Sequence, residues 1–461
     1  MPCVRLSATI VAMLAWRAAA APNISLLVHA SDARTWFGSV AIAMAQRADP
    51  ILMVTSWVFP PEELVAYRPT AGAGAAWRVD STSVMTYQTL YIASSGSVAP
   101  SSAVDALAFW NEKPGGIIGT CSLIGFNSQA APSLNGSGSH VWRASLSTTC
   151  GNINGWTPFT RHMLSSDGST AVAWVQAGNL DVTVYAFDGQ TGKPRWTRTF
   201  PAPPPPDDQY FDSLGVELSA DGKWVVVDEG LGGGSGIQRL HVLSAVDGTP
   251  RCGPVGSPAF MQGTLSADGA YLLSLDNDQT GVVAVHRFNA TTVAYDRIGQ
   301  ALPPQDAPSS AGWQLGAAAL TTDAAGKTFA GLAWFDGALA GSSLVAMFDV
   351  ENMTTPAVVY AVAPVAGDDI AVASTAIECD GGICVAGFWC QVVNGTQPTV
   401  AVISPASPAT PLLAFTSPGS VDAVDIVSAG AGVYYISAAG CSTYGVCTDP
   451  GSDAYLWRLQ M

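Results

Sequence analysis

The sequence predicts an all-β chain, a single β-propeller of seven or eight four-stranded blades over residues 38–461, and three observations predict it. First, a short turn recurs as Ser165-Ser166-Asp167-Gly168, Ser219-Ala220-Asp221-Gly222 and Ser266-Ala267-Asp268-Gly269. Looser copies stand at Thr322-Asp323-Ala324-Ala325-Gly326 and Cys379-Asp380-Gly381-Gly382. Second, the aspartates of these turns are 54, 47, 55 and 57 residues apart. A period of that size, built from strands and turns, is the pattern of radial β architecture with one blade per repeat. Third, each turn leads into a β-rich run such as Trp224-Val225-Val226-Val227, and helical periodicity is nearly absent.

Taken along the chain, the elements follow the same order. Residues 21–37 form an N-terminal segment in which Ser25 to His29 reads as a strand that completes the last blade, since a ring must leave no sheet edge open. Val40–Ala45, Ile51–Ser56, Leu64–Tyr67 and Trp77–Val79 make a first blade, with a helical turn expected near Pro61 to Leu64. Thr89–Ala93, Ala106–Trp110 and Ile117–Leu123 make a second, followed by a Ser/Gly/Asn insertion from Phe126 to Cys150. From Met163 the repeat is clear: strands Ala171–Val175, Val182–Phe187 and Arg195–Phe200. The run Pro203 to Pro206 and the glycines 232–236 read as surface connections. Val433–Ile436 and Tyr455–Trp457 belong to the closing blade.

Composition narrows the function classes. Of 461 residues 48% are hydrophobic, and 19 Lys and Arg face 35 Asp and Glu, a net charge of −16. That balance disfavours nucleic acid and anionic membranes, which require a basic patch. Residues 1–20 read as a secretory signal: Arg5, an apolar run from Leu6 to Trp16, then alanines suited to cleavage. No later run is long and apolar enough to span a bilayer. Sequons at Asn23, Asn135, Asn289, Asn352 and Asn394 become glycan sites on an exported chain. Eight cysteines remain after Cys3: Cys121, Cys150, Cys252, Cys379, Cys384, Cys390, Cys441 and Cys447. An even number in an exported chain reads as a set of disulfides. Cys441–Cys447 and Cys121–Cys150 are candidate pairs, and one member of the 379/384/390 cluster is available for Cys252. A zinc site would need paired cysteines or nearby histidines, and the spacing offers neither.

One stretch is more specific. Ala186-Phe187-Asp188-Gly189-Gln190-Thr191-Gly192-Lys193-Pro194-Arg195-Trp196 resembles the tryptophan-docking motif of quinoprotein-like propellers, the pyrroloquinoline quinone repeat, at Ala186, Asp188, Thr191, Gly192 and Trp196. The wider repeat resembles the YVTN and WD40-like propellers. The resemblance implies the fold, with Asp188 and Gly192 closing a tight turn and Trp196 wedged between blades. Quinoprotein dehydrogenases carry an adjacent cysteine pair beneath their cofactor, and no two cysteines are adjacent here. No cofactor is therefore expected.

Candidate chemistry is sparse. No Gly-x-Ser-x-Gly elbow and no phosphate-binding loop occurs. Asp276, Asp278 and Thr280, closed by Gly281, match the first half of a calcium loop, but the closing Glu is missing and any hairpin turn uses the same residues. The repeated aspartates read as turn caps. The expected function is a secreted, monomeric, non-catalytic propeller that binds a protein or a glycan. A divergent quinoprotein-like oxidoreductase is the second reading, and an extracellular carbohydrate-active hydrolase or lyase the third.

Overall fold

The computed structural model describes residues 22–32, 36–44, 49–57, 63–71, 74–80, 89–94, 103–112, 119–131, 140–150, 163–176, 182–200, 216–230, 238–257, 263–277, 281–303, 312–336, 342–362, 372–390, 398–441 and 451–461. It is an eight-bladed β-propeller. Each blade is an antiparallel meander whose strands run in order from the innermost to the outermost. Blade 1 is Trp36–Ala43, Ile51–Trp57, Glu63–Tyr67 and Ala75–Asp80; blade 2 is Thr89–Ser94, Ala106–Glu112, Gly119–Phe126 and Trp142–Cys150. Blade 3 has Thr170–Gln176, Val182–Asp188 and Pro194–Phe200, with a bridge from Leu164 to Ala171 marking the innermost position. Blade 4 is Val216–Leu218, Trp224–Gly230, Gln238–Ser244 and Val255–Ser257; blade 5 is Thr264–Leu265, Tyr271–Asn277, Val282–Asn289 and Ala294–Ala301. Blade 6 is Trp313–Thr322, Thr328–Asp336, Ser343–Asp349 and Val358–Val362; blade 7 is Val372–Asp380, Ile383–Cys390, Val400–Ile403 and Leu413–Phe415. Blade 8 is Val421–Gly430, Val433–Cys441 and Ser452–Gln460, and its outermost strand is the N-terminal Asn23–Asp32, paired from Asn23 with Gln460 to Asp32 with Ser452.

Burial explains the sequence pattern. The middle strands of a blade are covered by neighbours on both faces, so they read as continuous apolar runs. The two middle strands of blade 6, Thr328–Asp336 and Ser343–Asp349, illustrate this, with Ala330, Leu332, Ala333 and Trp334 fully enclosed. The outermost strands are half-exposed and polar: Pro194–Phe200 and Ala294–Ala301 each bury few side chains. Each apolar cluster joins two blades. One sets Val172, Trp174, Val184 and Ala186 of blade 3 against Val225, Val227 and Leu243 of blade 4.

Three expectations are corrected. The stretch from Phe126 to Cys150 is no mere insertion, because Trp142–Cys150 is the outermost strand of blade 2. Trp142 anchors it by filling the junction with blade 3. The helical turn expected up to Leu64 gives way to the strand Glu63–Tyr67, whose five side chains are all buried, so packing between blades overrides local preference. Among described residues one short helical turn occurs, at Pro69–Ala71. Finally, Cys379 and Cys384 bond to each other and Cys252 is a free thiol, so no member of that cluster takes Cys252. The two cysteines face each other directly across one hairpin, which makes them mutual nearest partners. Cys121 and Cys441 each take part in a disulfide as well.

Because successive strands run in opposite directions, connections fall on two faces. Those from the first to the second strand and from the third to the fourth form what we term the turn face. Those from the second to the third strand, and from one blade to the next, form the loop face.

Candidate functional site

The repeated turns all lie on the turn face, and their polar groups are spent locally. In blade 3 the Ser165 hydroxyl donates to Asp167 Oδ1 (2.6 Å) and accepts from the Thr170 N–H (3.0 Å), while the Ser169 N–H donates to Asp167 Oδ1 (2.8 Å). Blades 4 and 5 repeat the arrangement. Ser219 donates to Asp221 (2.7 Å) and accepts from Trp224 N, and Ser266 donates to Asp268 (2.8 Å) and accepts from Tyr271 N. Partial burial works against ionisation of Asp167, but the Ser165 hydroxyl and the Ser169 N–H outweigh it and hold the carboxyl below its ordinary value. Successive turns are also joined: Ser166 N donates to Ala220 O and Asp221 N to Ala267 O, both at 2.9 Å. These aspartates are caps and links between blades. They form no ring around the channel.

The outer rim carries a second set of links. Trp196, on the outermost strand of blade 3, donates its indole N–H to Ala245 O (3.0 Å) in the third turn of blade 4 and lies over Gly248. That glycine holds a positive φ of 72°, and a Cβ there would stand 2.9 Å from the indole. Trp142 of blade 2 does the same to Gly189 O (2.9 Å) and Gly192, and Trp77 of blade 1 to Ser128 O (2.8 Å). Asp188 Oδ1 accepts from the Thr191 N–H (2.9 Å) and hydroxyl (2.8 Å). Slight burial opposes its charge, but Thr191 and then the Arg195 guanidinium hold its carboxyl below the usual range. Ala186 is buried opposite Trp196. Trp142 escapes sequence reasoning although the turn that receives it, Asp188 to Gly192, carries the motif, because ring and turn lie 47 residues apart.

The innermost strands carry the third set, made of carboxylates. Glu217 Oε1 of blade 4 accepts from Leu265 N of blade 5 (3.2 Å). Asp380 Oδ2 of blade 7 accepts from Ser428 N of blade 8 (2.6 Å), and Asp425 Oδ2 of blade 8 from Ile42 N of blade 1 (2.8 Å). In each case an acid reaches one blade forward to a backbone N–H at the edge of the channel. Such charge-assisted bonds are stronger than neutral ones.

Asp422 is set apart. It is the second residue of the innermost strand of blade 8, at the loop-face end. There the ladder slips: Val421 faces Gly440 and Ala423 faces Ala439, so Asp422 is the extra residue of a β-bulge. Among the described residues its side chain meets the Cys441 sulfur, 3.7 Å from Oδ2. Cys441 is disulfide-bonded and has no proton to give. Asp422 is crowded by protein yet keeps part of its surface open, and burial pushes its carboxyl up to about 6. No residue pattern marks a bulge, which is why sequence reasoning passes it over.

The remaining sequence candidates do not converge on one place. Asp276 is the penultimate residue of the second strand of blade 5, near its loop-face end, while Asp278 and Thr280 lie outside the described residues. Among described residues no three His, Cys, Asp or Glu side chains come together as metal ligands. Asn23 and Asn352 are exposed. Asn289 is half-buried, with Oδ1 capping a turn through Thr291 N (2.9 Å) and Nδ2 donating to Asp296 (2.7 Å). Asn135, Asn394 and Cys447 lie outside the described residues, as do the side chains of Cys150 and Cys390.

No protein-family model matches this sequence, and no curated protein matches it. Solved structures do. The Sqt1 structure from Saccharomyces cerevisiae superposes with a TM-score of 0.53 at 8% identity, over 94% of this chain and 98% of that one. The Dos1 propeller superposes with a TM-score of 0.50 at 9% identity, over 94% of each chain. At these identities the likeness shows the fold: an eight-bladed chain similar to known propellers.

Proposed function

We propose that this chain is an exported, non-catalytic propeller that holds a protein or glycan partner on its loop face. One observation carries the reading. The recurrent polar residues of the turn face are consumed by their own turns and by links to the next blade, whereas the loop face holds Asp422, a carboxylate that no described residue engages with a hydrogen-bond donor. The strand directions aim the ends of the outermost strands toward that face, and loops on a rigid scaffold are where recognition is placed. A signal at residues 1–20 would be removed just ahead of the ring-closing strand, leaving Asn23–Asp32 intact. The Cys379–Cys384 disulfide suits an oxidising compartment, and the exposed Asn23 and Asn352 are open to glycans. The tryptophan contacts support kinship with quinoprotein-type docking, and the ring closes on itself as a monomer.

Site-specific photo-crosslinking tests this. A photoreactive residue at Leu302 or Pro418, exposed on the loop face, is expected to trap a partner from the native extracellular fluid. The same residue at Val246 or Ala325, exposed on the turn face, is expected to trap none. Equal trapping from both faces contradicts the reading. A thermal shift on adding pyrroloquinoline quinone with calcium would favour the oxidoreductase instead.

A further inference from the structure

The channel edge of blade 8 differs from every other described stretch of innermost strand. Four neighbouring blades, 6, 7, 8 and 1, carry a bulge near the loop-face end of that strand, at Gly316, Thr375, Asp422 and Gly38. A bulge takes one residue out of the ladder and re-aims its side chain. Of the four, only blade 8 puts an ionisable group there.

Among the described residues, none meets the charge of Asp422 with a hydrogen bond. Asp105, another enclosed carboxylate, takes two hydrogen bonds from Ser128, at 2.7 and 2.6 Å. Glu217, Asp380 and Asp425 each take a backbone N–H. Asp422 has no hydrogen-bond donor among the described residues, the disulfide sulfur of Cys441 being its sole polar contact there. Enclosing an ionised carboxylate without a partner is costly, and natural proteins keep such groups where a ligand completes them. The stretch of sequence that contains it is acidic. Residues 328–461 hold eleven Asp and Glu against one basic residue, Arg458, and contain no Lys or His. They therefore carry −10 of the chain's −16. A divalent metal would want several protein oxygens, and no group of three candidate ligands converges among the described residues. A single organic cation needs only one counter-charge.

We infer that the loop-face end of the channel at blade 8 receives a cationic side chain, an ammonium or a guanidinium, from a protein partner, with Asp422 as its counter-ion. The inference rests on the loop-face reading above and narrows the partner to a protein presenting Lys or Arg. A cation entering beside the Cys441 disulfide completes an innermost-strand carboxylate to which no described backbone group donates. The partner stays bound while Asp422 is ionised and leaves as it takes up a proton.

The test uses the full mature chain and fluorescein-labelled hexa-arginine and hexa-lysine peptides at about 0.15 M salt, where exposed charges are screened beyond roughly 8 Å. Wild type is expected to bind at pH 7.5 and to lose affinity by up to about tenfold at pH 5, as a one-charge contact on a protonated acid would. Asp422→Asn is expected to lose a similar factor at pH 7.5. Glu351→Gln removes one charge from the exposed turn face and is expected to change affinity less than about twofold. Equal weakening by both variants, or no effect of Asp422→Asn, overturns the inference. As a second readout, the Asp422 carboxyl carbon followed by NMR is expected to titrate at a lower pH once peptide is added; an unmoved midpoint also overturns it. Arginine and lysine peptides separate guanidinium from ammonium recognition. A partner trapped at Leu302 or Pro418 that is indifferent to Asp422→Asn defeats this inference alone, whereas no trapping on the loop face defeats the broader reading.

Discussion

Blades 1 to 4 and blades 6 to 8 fasten neighbour to neighbour at opposite radii. In the first group the links are at the rim: Trp77, Trp142 and Trp196 each donate an indole N–H to the next blade's outer turn. The innermost strand of blade 4, Val216–Leu218, is short. In the second group the links are at the channel. Long innermost strands lie side by side, Asp380 and Asp425 reach forward to backbone N–H groups, and a disulfide pins one hairpin. Glu217 shows that the inner link also occurs in the first group. The lesson is that one repeat can be stapled wherever large or charged side chains are available. A rim fastened by indoles leaves little that is reactive, whereas a channel fastened by acids can hold one acid in reserve.

The contrast can be broken most sharply at the rim. Trp142→Ala removes a buried indole and its hydrogen bond, and is expected to cost about 3–5 kcal/mol by chemical denaturation. A cost below about 1 kcal/mol would mean that the rim does not hold blades 2 and 3 together. The inner group has its own critical position. Gly440 faces the bulge at Val421, and a Cβ there would run into the Ser420 carbonyl oxygen. Gly440→Ala is expected to cost roughly 2–3 kcal/mol through forced backbone movement, and the Asp422 signal by NMR should shift with it. A silent substitution would show that the bulge is pliable. Least is expected of the turn caps. Ser219→Ala deletes the hydroxyl shared by Asp221 and the Trp224 N–H, for about 1 kcal/mol.

The two groups are unequally legible in the sequence. Turns built on Ser-x-Asp-Gly announce themselves because side chain and backbone needs coincide within four residues. Blade 3, which contains one of them, can be traced strand by strand. Trp142 is hidden because its partner, Gly189, lies 47 residues away, so nothing local distinguishes it from an ordinary apolar residue. Glu63 to Tyr67 looks helical at its start because tertiary burial, not propensity, decides that strand. Asp422 is the least visible of all. Its meaning depends on a slipped ladder and on what fails to contact it, and neither leaves a trace in residue order. The same holds for Cys252, whose free thiol follows only from Cys379 and Cys384 closing on each other.

Stability against pH, compared between wild type and Asp422→Asn, tests the central claim most directly because it needs no partner. The carboxyl is raised from 3.8 to about 6 in the folded chain. A group shifted upward favours the fold below its unfolded value and loses that contribution as pH rises through the folded one. Wild type and variant should therefore be equally stable near pH 3, below the unfolded value. Asp422→Asn should become the more stable by roughly 2 kcal/mol at pH 7.5, a figure that allows for partial solvent access. Asp167, held low, moves the other way in both proteins and cancels in the difference. Curves that coincide at every pH would show Asp422 to be an ordinary solvated acid, and the loop face would hold no carboxylate in reserve.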